Sequence, residues 1–486
     1  MKKQTGNQKS WVVGLLAMSL AAGVLCGCSN TETSKNTEQS SEEQSSDWKT
    51  MAKVSLGEQS TIDGEGVSEK DGIFTISEGG EYVFSGTLKK GSIVVDTTED
   101  VRLTLNGVEL TGENGPAIYG KNSNSIYIHV KDGTKNILAD SSEYEDEDAK
   151  AAFFSNDDLI FAGSGELTVT GNYKHAIASD DKICIENGDI EITSAVRDGI
   201  HAKDELSIDG GKIQILSCEE GLESKDVLKI NDGVIEITAN DDGINAGTDL
   251  QITGGKVFAN VSKGDGLDSN GSLTISGGLV VAMGAEMPEG GIDCDQREVV
   301  ITGGTLIACG GTNSAPSESE SSQVSVLLGA ADQDEKIGIL DGEGNTVFAF
   351  VPEKSYSNLL LSVNSVEKDQ SYKVCTGGSI EGENTFHGYY QDGVYSGGEQ
   401  SVEFTADSTV VSAGGTSDSG MGGGKMGGRQ NGENNEMQEP PEGEMPQIND
   451  GERPGEPQDG NRPGEEQTPD ESSQNNDQTQ SEINSL

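Results

Sequence analysis

DGIHAKDELSIDGGKIQILSCEEGLESKDVLKINDGVIEIT, residues Asp198–Thr238, states one pattern and begins to state it again. An acidic residue, Gly and an apolar anchor open each copy. A polar turn follows, then an alternating strand, a Gly turn and a second alternating strand. Outward from this stretch the openings read HAIASDD, DGIHAKD, EGLESKD, DGINAGTD, DGLDSNG and GGIDCDQ. The anchors are Ile177, Ile200, Leu222, Ile244, Leu267 and Ile292, spaced by 23, 22, 22, 23 and 25 residues. The turn glycines are Gly188, Gly211, Gly233, Gly255, Gly278 and Gly304. Period-2 strands inside a period of this length indicate a solenoid whose coils cover one another's open faces. Two strands and the anchor stretch give three faces per coil. With no room for a crossover helix, the pattern predicts an all-β, right-handed parallel β-helix of about 22 residues per coil, rising roughly 4.8 Å per coil.

Composition agrees with a thin, turn-dense body. Gly numbers 67 and only 32% of residues are hydrophobic. The formal charge, 32 − 84 = −52, excludes nucleic acid as a partner, because phosphate binding needs basic surface. It favours cations instead, and a monomer is expected. Lys2, Lys3 and Lys9 precede an apolar run from Trp11 to Cys26, too short for a membrane span and sized like a secretion signal. Its end, Leu25-Cys26-Gly27-Cys28, resembles a bacterial lipobox with Cys28 as the lipid acceptor. The expected organisation is a lipoprotein signal peptide (1–27), a tether (28–50), the β-helix (51–413) and a disordered acidic Gly/Pro-rich tail (414–486). The expected location is the extracellular face of the bacterial membrane, held by the lipid. The remaining cysteines, Cys184, Cys218, Cys294, Cys309 and Cys375, show no metal-type spacing and read as buried free thiols, so zinc is not expected of them. The acidic insert Asp140–Lys150 reads as a surface loop.

A solenoid turns repeated residues into columns. The residues opening the anchors are Asp198, Glu220, Asp242 and Asp265; those closing them are His201, Glu223, Asn245, Asp268 and Asp293. A third series is Asp181, Asp204, Asp226 and Asp249. Carboxylates about 5 Å apart repel by roughly 0.8 kcal/mol in water and about 3 kcal/mol at an effective dielectric of 20. Such a column is costly unless protons or a cation neutralise it. Calcium, bound by carboxylate and backbone oxygens, fits best. The candidate metal residues are Asp198, Glu220, Asp242, Asp265, Asp268, Asp293 and Asp295, centred on the last four. The competing reading makes each Asp-Gly an ordinary turn and the ladder a solvent-screened surface.

FTISEGGEYVFSGTL, VRLTLNGVEL, DDLIFAGSGELTVTGNYKHAIAS and the DGI…GG coils resemble secreted or lipid-anchored bacterial carbohydrate-binding proteins, right-handed parallel β-helices with pectate-lyase-like folds. The resemblance covers about Gly72–Gly310, and more weakly to Ser396. It implies binding of cellulose or an acidic plant polysaccharide such as pectin, with calcium among carboxylates like Asp198, Asp242, Asp265, Asp268 and Asp293. His201, Asn245 and Gly290 depart from an all-acidic column. A calcium-dependent pectate-type lyase is the alternative, with Arg197, Lys203 or Lys225 as base; a non-catalytic adhesin is another. The aromatic cluster Phe386–Tyr395 reads as terminal packing, or as a sugar platform.

Overall fold

The computed structural model describes residues 48–416, Arg297 excepted. The proposed leader, Cys28, nearly all of the tether, and the tail from residue 417 lie outside the described residues. Every regular element among the described residues is a β-strand. From residue 73 to 310 the strands fall into three parallel ladders, one per face, as the repeat requires.

The anchor ladder has eleven strands, and only its edge strand, Val67–Lys70, is antiparallel. Ile177, Ile200, Leu222, Ile244, Leu267 and Ile292 pair in unbroken register, each almost fully buried. On the first alternating strand Leu206, Leu228, Leu250 and Leu273 stack in the same way. On the second, Ile190, Ile213, Ile235 and Val257 do so. All belong to one continuous apolar core. Each buried aliphatic side chain stabilises the body by roughly 1.5–3 kcal/mol relative to exposure. The polar partners alternate outward, as the pleat demands.

Two kinds of glycine hold this geometry. Gly233 sits at the turn with φ 108°, and the five equivalent turn glycines also have positive φ. Gly221, after an opening acid, has no such φ; it is needed for space. A Cβ there would stand 2.4 Å from the Gly243 carbonyl oxygen and 2.4 Å from Ile237 Cγ2. The Asp/Glu-Gly pair is therefore a packing device, and the turn reading of it does not hold.

Parallel coiling ends at Gly310. The stretch expected to continue the β-helix to Ala413 is mainly antiparallel. Asn358–Ser362 pairs antiparallel with Thr305–Gly310 and with Ser325–Leu328. Ile337–Leu340, Thr346–Phe350, Ser371–Thr376 and Glu399–Thr405 form a separate antiparallel sheet. The cause lies on the second ladder's outer face. Its outward column runs Glu191, Gln214, Glu236 and then Phe258, Val281, Ile307. The apolar end needs cover, and the antiparallel unit packs on it. His387 stacks on Phe258 with centroids 3.4 Å apart, and Phe386, Tyr389 and Tyr395 are buried. The aromatic cluster is packing, as its first reading had it.

Gly221→Ala should lower stability by about 1–3 kcal/mol through overpacking. Gly342→Ala, with nothing within 4 Å, should stay within about 0.5 kcal/mol of the parent. Denaturant midpoints of the two variants check this.

Candidate metal centre on the anchor face

The anchor strands present every second residue outward, and register makes one column of them: Tyr119, Phe154, Ala178, His201, Glu223, Asn245, Asp268 and Asp293. The column changes character along the axis, aromatic at one end and acidic at the other. The insert Asp140–Lys150 is a largely exposed loop, as expected, and it folds over the aromatic end. Its Tyr144 packs in a cluster with Phe154 and Ala178 and stacks on Tyr173 at 4.1 Å. The Tyr144 hydroxyl donates to Asp140 Oδ2 at 2.7 Å. The acidic end remains uncovered by that insert.

The opening column runs beside it. Successive opening residues are linked through the backbone, Gly199 N–H donating to the Glu220 carbonyl and Gly221 N–H to that of Asp242. Where the two columns meet, they form groups. Ligand atoms of Asp265, Asp268 and Asp293 lie within 4.8 Å of one another, and so do those of Asp198, Glu220 and Glu223. The Ser314 hydroxyl donates to Asp293 Oδ1 at 2.6 Å and fixes it. Gly290 N–H donates to Asp265 Oδ1.

Burial and crowding set the protonation of these groups. Asp265 is pushed up to about 9, first by burial and then by the charges of Asp242, Asp293 and Glu289, against the Gly290 hydrogen bond. Burial, with Asp242, Asp293 and Asp295, raises Asp268 to about 7. Glu220 rises to about 7 by burial and by its neighbours Asp198 and Asp242. Asp242 rises to about 6, burial leading again. Asp198 goes the other way. Burial opposes its charge, but hydrogen bonds from His175 and His201 outweigh burial and hold it well below the usual carboxylate range.

Of the seven nominated residues, the structure gathers Asp265, Asp268 and Asp293 into one group and Asp198 with Glu220 into another. Asp242 lies between them, its Oδ1 accepting from Asp265 N–H at 2.8 Å. Asp295 is exposed and lies in the turn past the strand Ile292–Cys294, outside the close group. Glu223 was in the closing column and not nominated; it joins the second group. In the third series Asp249 is misplaced. It pairs with Val227, and Thr248 N–H takes its position by donating to the Asp226 carbonyl. The extra residue in DGINAGTD causes this slip. The five cysteines among the described residues are buried thiols with no disulfide, as expected; burial pushes the Cys218 thiol up to about 12.

An all-β parallel solenoid with a carboxylate-lined outer face defines the class of protein. A family model for carbohydrate-binding domain-containing proteins matches residues 70–306 and 217–349, together more than half of this chain, and the chain belongs to that family. It is 36% identical over 125 residues to a carbohydrate-binding domain-containing protein of Acetivibrio thermocellus. That match covers 24% of this chain and 43% of the relative, so it spans less than half of the relative's length. A solved structure described as the polysaccharide lyase-like protein from C. thermocellum, gadolinium derivative, aligns at 30% identity with a TM-score of 0.45. The alignment covers 47% of this chain and 98% of that one.

Raised carboxyls bind protons more tightly in the folded state. Their contribution is full below the unfolded range of about 4 and is lost as pH rises through about 7 toward about 9. Asp198 contributes the opposite slope, lost only as pH falls below the ordinary range. Chelator-treated protein should therefore lose thermal stability between neutral and mildly alkaline pH. Asp265→Asn should flatten that loss, as a melting series across pH will show.

Proposed function

We propose that this protein is a cell-surface lipoprotein that binds polysaccharide, cellulose or an acidic pectin-type glycan, through the acidic anchor face. Calcium at Asp265, Asp268 and Asp293 is the bridge. The observation that carries this is the convergence of three carboxylates whose ligand oxygens lie within 4.8 Å. Burial, and then crowding by neighbouring carboxylates, raises Asp265 and Asp268 well above the carboxylate range. A hard divalent ion relieves that repulsion, and it takes roughly six to eight oxygens. Three carboxylates leave positions for sugar oxygens. At a net charge of −52, the chain repels a polyuronate unless a cation stands between the two. Family membership supports the carbohydrate partner.

Binding fits the face better than lyase chemistry. Lys225, one of the candidate bases, is ion-paired with Glu223. Arg197 and Lys203 are exposed, where such side chains are usually solvated. The lipid anchor at Cys28 and the outward-facing location belong to the same proposal and rest on the order Leu25-Cys26-Gly27-Cys28. Cys28→Ala should abolish incorporation of labelled fatty acid.

Calcium at about a hundred times its dissociation constant should stabilise the protein by about 2.7 kcal/mol. Asp265→Asn with Asp268→Asn should remove that shift. Pull-down on insoluble cellulose and on pectate, with calcium or chelator, tests the partner. Retention on neither would remove the carbohydrate reading. Release of unsaturated uronides from pectate would replace binding by cleavage.

A further inference from the structure

The other end of the acidic column has a different chemistry. His175 opens the copy HAIASDD at the position that Asp198, Glu220, Asp242 and Asp265 hold in later coils, and its coil lies directly beside that of Asp198. His201 stands in the closing column between Ala178 and Glu223. Asp198 Oδ2 lies 2.9 Å from His175 Nδ1 and 2.8 Å from His201 Nδ1. His201 Nδ1 is also 2.5 Å from Glu223 Oε2. The two rings stack with centroids 4.5 Å apart.

These contacts do not all resolve into donor and acceptor pairs. His201 Nδ1 carries at most one hydrogen, yet two carboxylate oxygens face it. Asp198 Oδ2 can accept from both rings, so the surplus contact is that of Glu223 Oε2 on His201 Nδ1. Ligand atoms of His175, Asp198 and His201 lie within 4.8 Å of one another, and Glu223 Oε2 adjoins the group through His201. Their side chains are 11% (His175), 13% (His201), 6% (Asp198) and 5% (Glu223) exposed, so water screens them little. Zinc–nitrogen and zinc–oxygen bonds of about 2.0–2.2 Å put tetrahedral ligand atoms about 3.3 Å apart, within the 4.8 Å that spans the His175, Asp198 and His201 ligand atoms. Lys225 pairs with the other oxygen of Glu223, the kind of outer contact that orients a metal-binding carboxylate.

We propose that His175, Asp198, His201 and Glu223 form a second cation site, for a nitrogen-preferring divalent transition ion of the zinc class. Imidazole suits such ions, whereas calcium takes oxygen. The cysteines take no part. The two columns together thus carry two cation positions of different chemistry, three to four coils apart, or roughly 14–19 Å.

The test uses the untagged full chain saturated with calcium and titrated with zinc chloride by calorimetry. One tight site is expected. His175→Gln and His201→Gln should each weaken it by more than the roughly 10- to 100-fold that loss of an orienting partner costs. Asp268→Asn should retain zinc while losing the calcium response, so failure of either site is distinguishable from failure of the other. The chain has four histidines. Imidazole nitrogen resonances of the parent protein supply a readout that no variant's folding can confuse: zinc should shift two of them, and cobalt should give visible tetrahedral ligand-field bands. Absence of a tight zinc site in the parent, unchanged zinc affinity in the His175→Gln/His201→Gln double variant, or zinc shifts confined to His129 and His387 would each overturn the proposal.

Discussion

In-register parallel pairing of successive coils is the constraint on which everything else depends. Each coil is too thin to bury its own apolar residues, so its stability comes from the neighbour that covers it. Backbone hydrogen bonds fix that neighbour at one strand spacing, roughly 4.8 Å. The same bonds that stack Ile200 on Leu222 also stack His201 on Glu223 and Asp268 on Asp293. The core and the charged column are two faces of one register. A shift that relieved the carboxylates would have to displace the anchors, and the anchors fix the register more strongly than the charges oppose it.

Crowding is therefore built into the fold and must be answered locally, and the protein answers it differently along the axis. At the aromatic end the problem does not arise, because Tyr119 and Phe154 are covered by the insert with Tyr144. In the middle, imidazoles face Asp198 and keep it ionised. Toward the last coils no imidazole is present in the column, and Asp265 and Asp268 hold protons far above the usual range. A cation of the kind proposed for this face would take the place of those protons. Beyond Gly310 the solenoid meets a different demand. Its outer wall turns apolar at Phe258, and the chain doubles back as an antiparallel unit to cover it.

Much of this was legible in the residues. The anchors, the turn glycines and two of the three columns follow from position alone, because a strand pair has one register that keeps its core face buried. Asp249 was not, since a single added residue in Gly247-Thr248 is absorbed in the turn before the strand begins. The antiparallel unit was hidden because alternating strands do not declare the direction of their partners. Its one signal was the run Val257-Phe258-Ala259, where alternation of apolar and polar residues fails. The Asp-Gly pairs looked like turns, but the glycine answers to Ile237 and the next coil's carbonyl, which only the packed structure reveals. His175 was legible too, since it occupies the opening position of its copy, where later copies carry an acid.

The most direct measurement is the proton count on calcium binding, from calorimetry near neutral pH in buffers of differing ionisation enthalpy. Because Asp265 and Asp268 carry protons that a divalent ion must displace, the account predicts net proton release with calcium, greatly reduced in the Asp265→Asn/Asp268→Asn variant. A binding heat independent of the buffer would contradict it, because the stacked carboxylates would then already be charged and at ease.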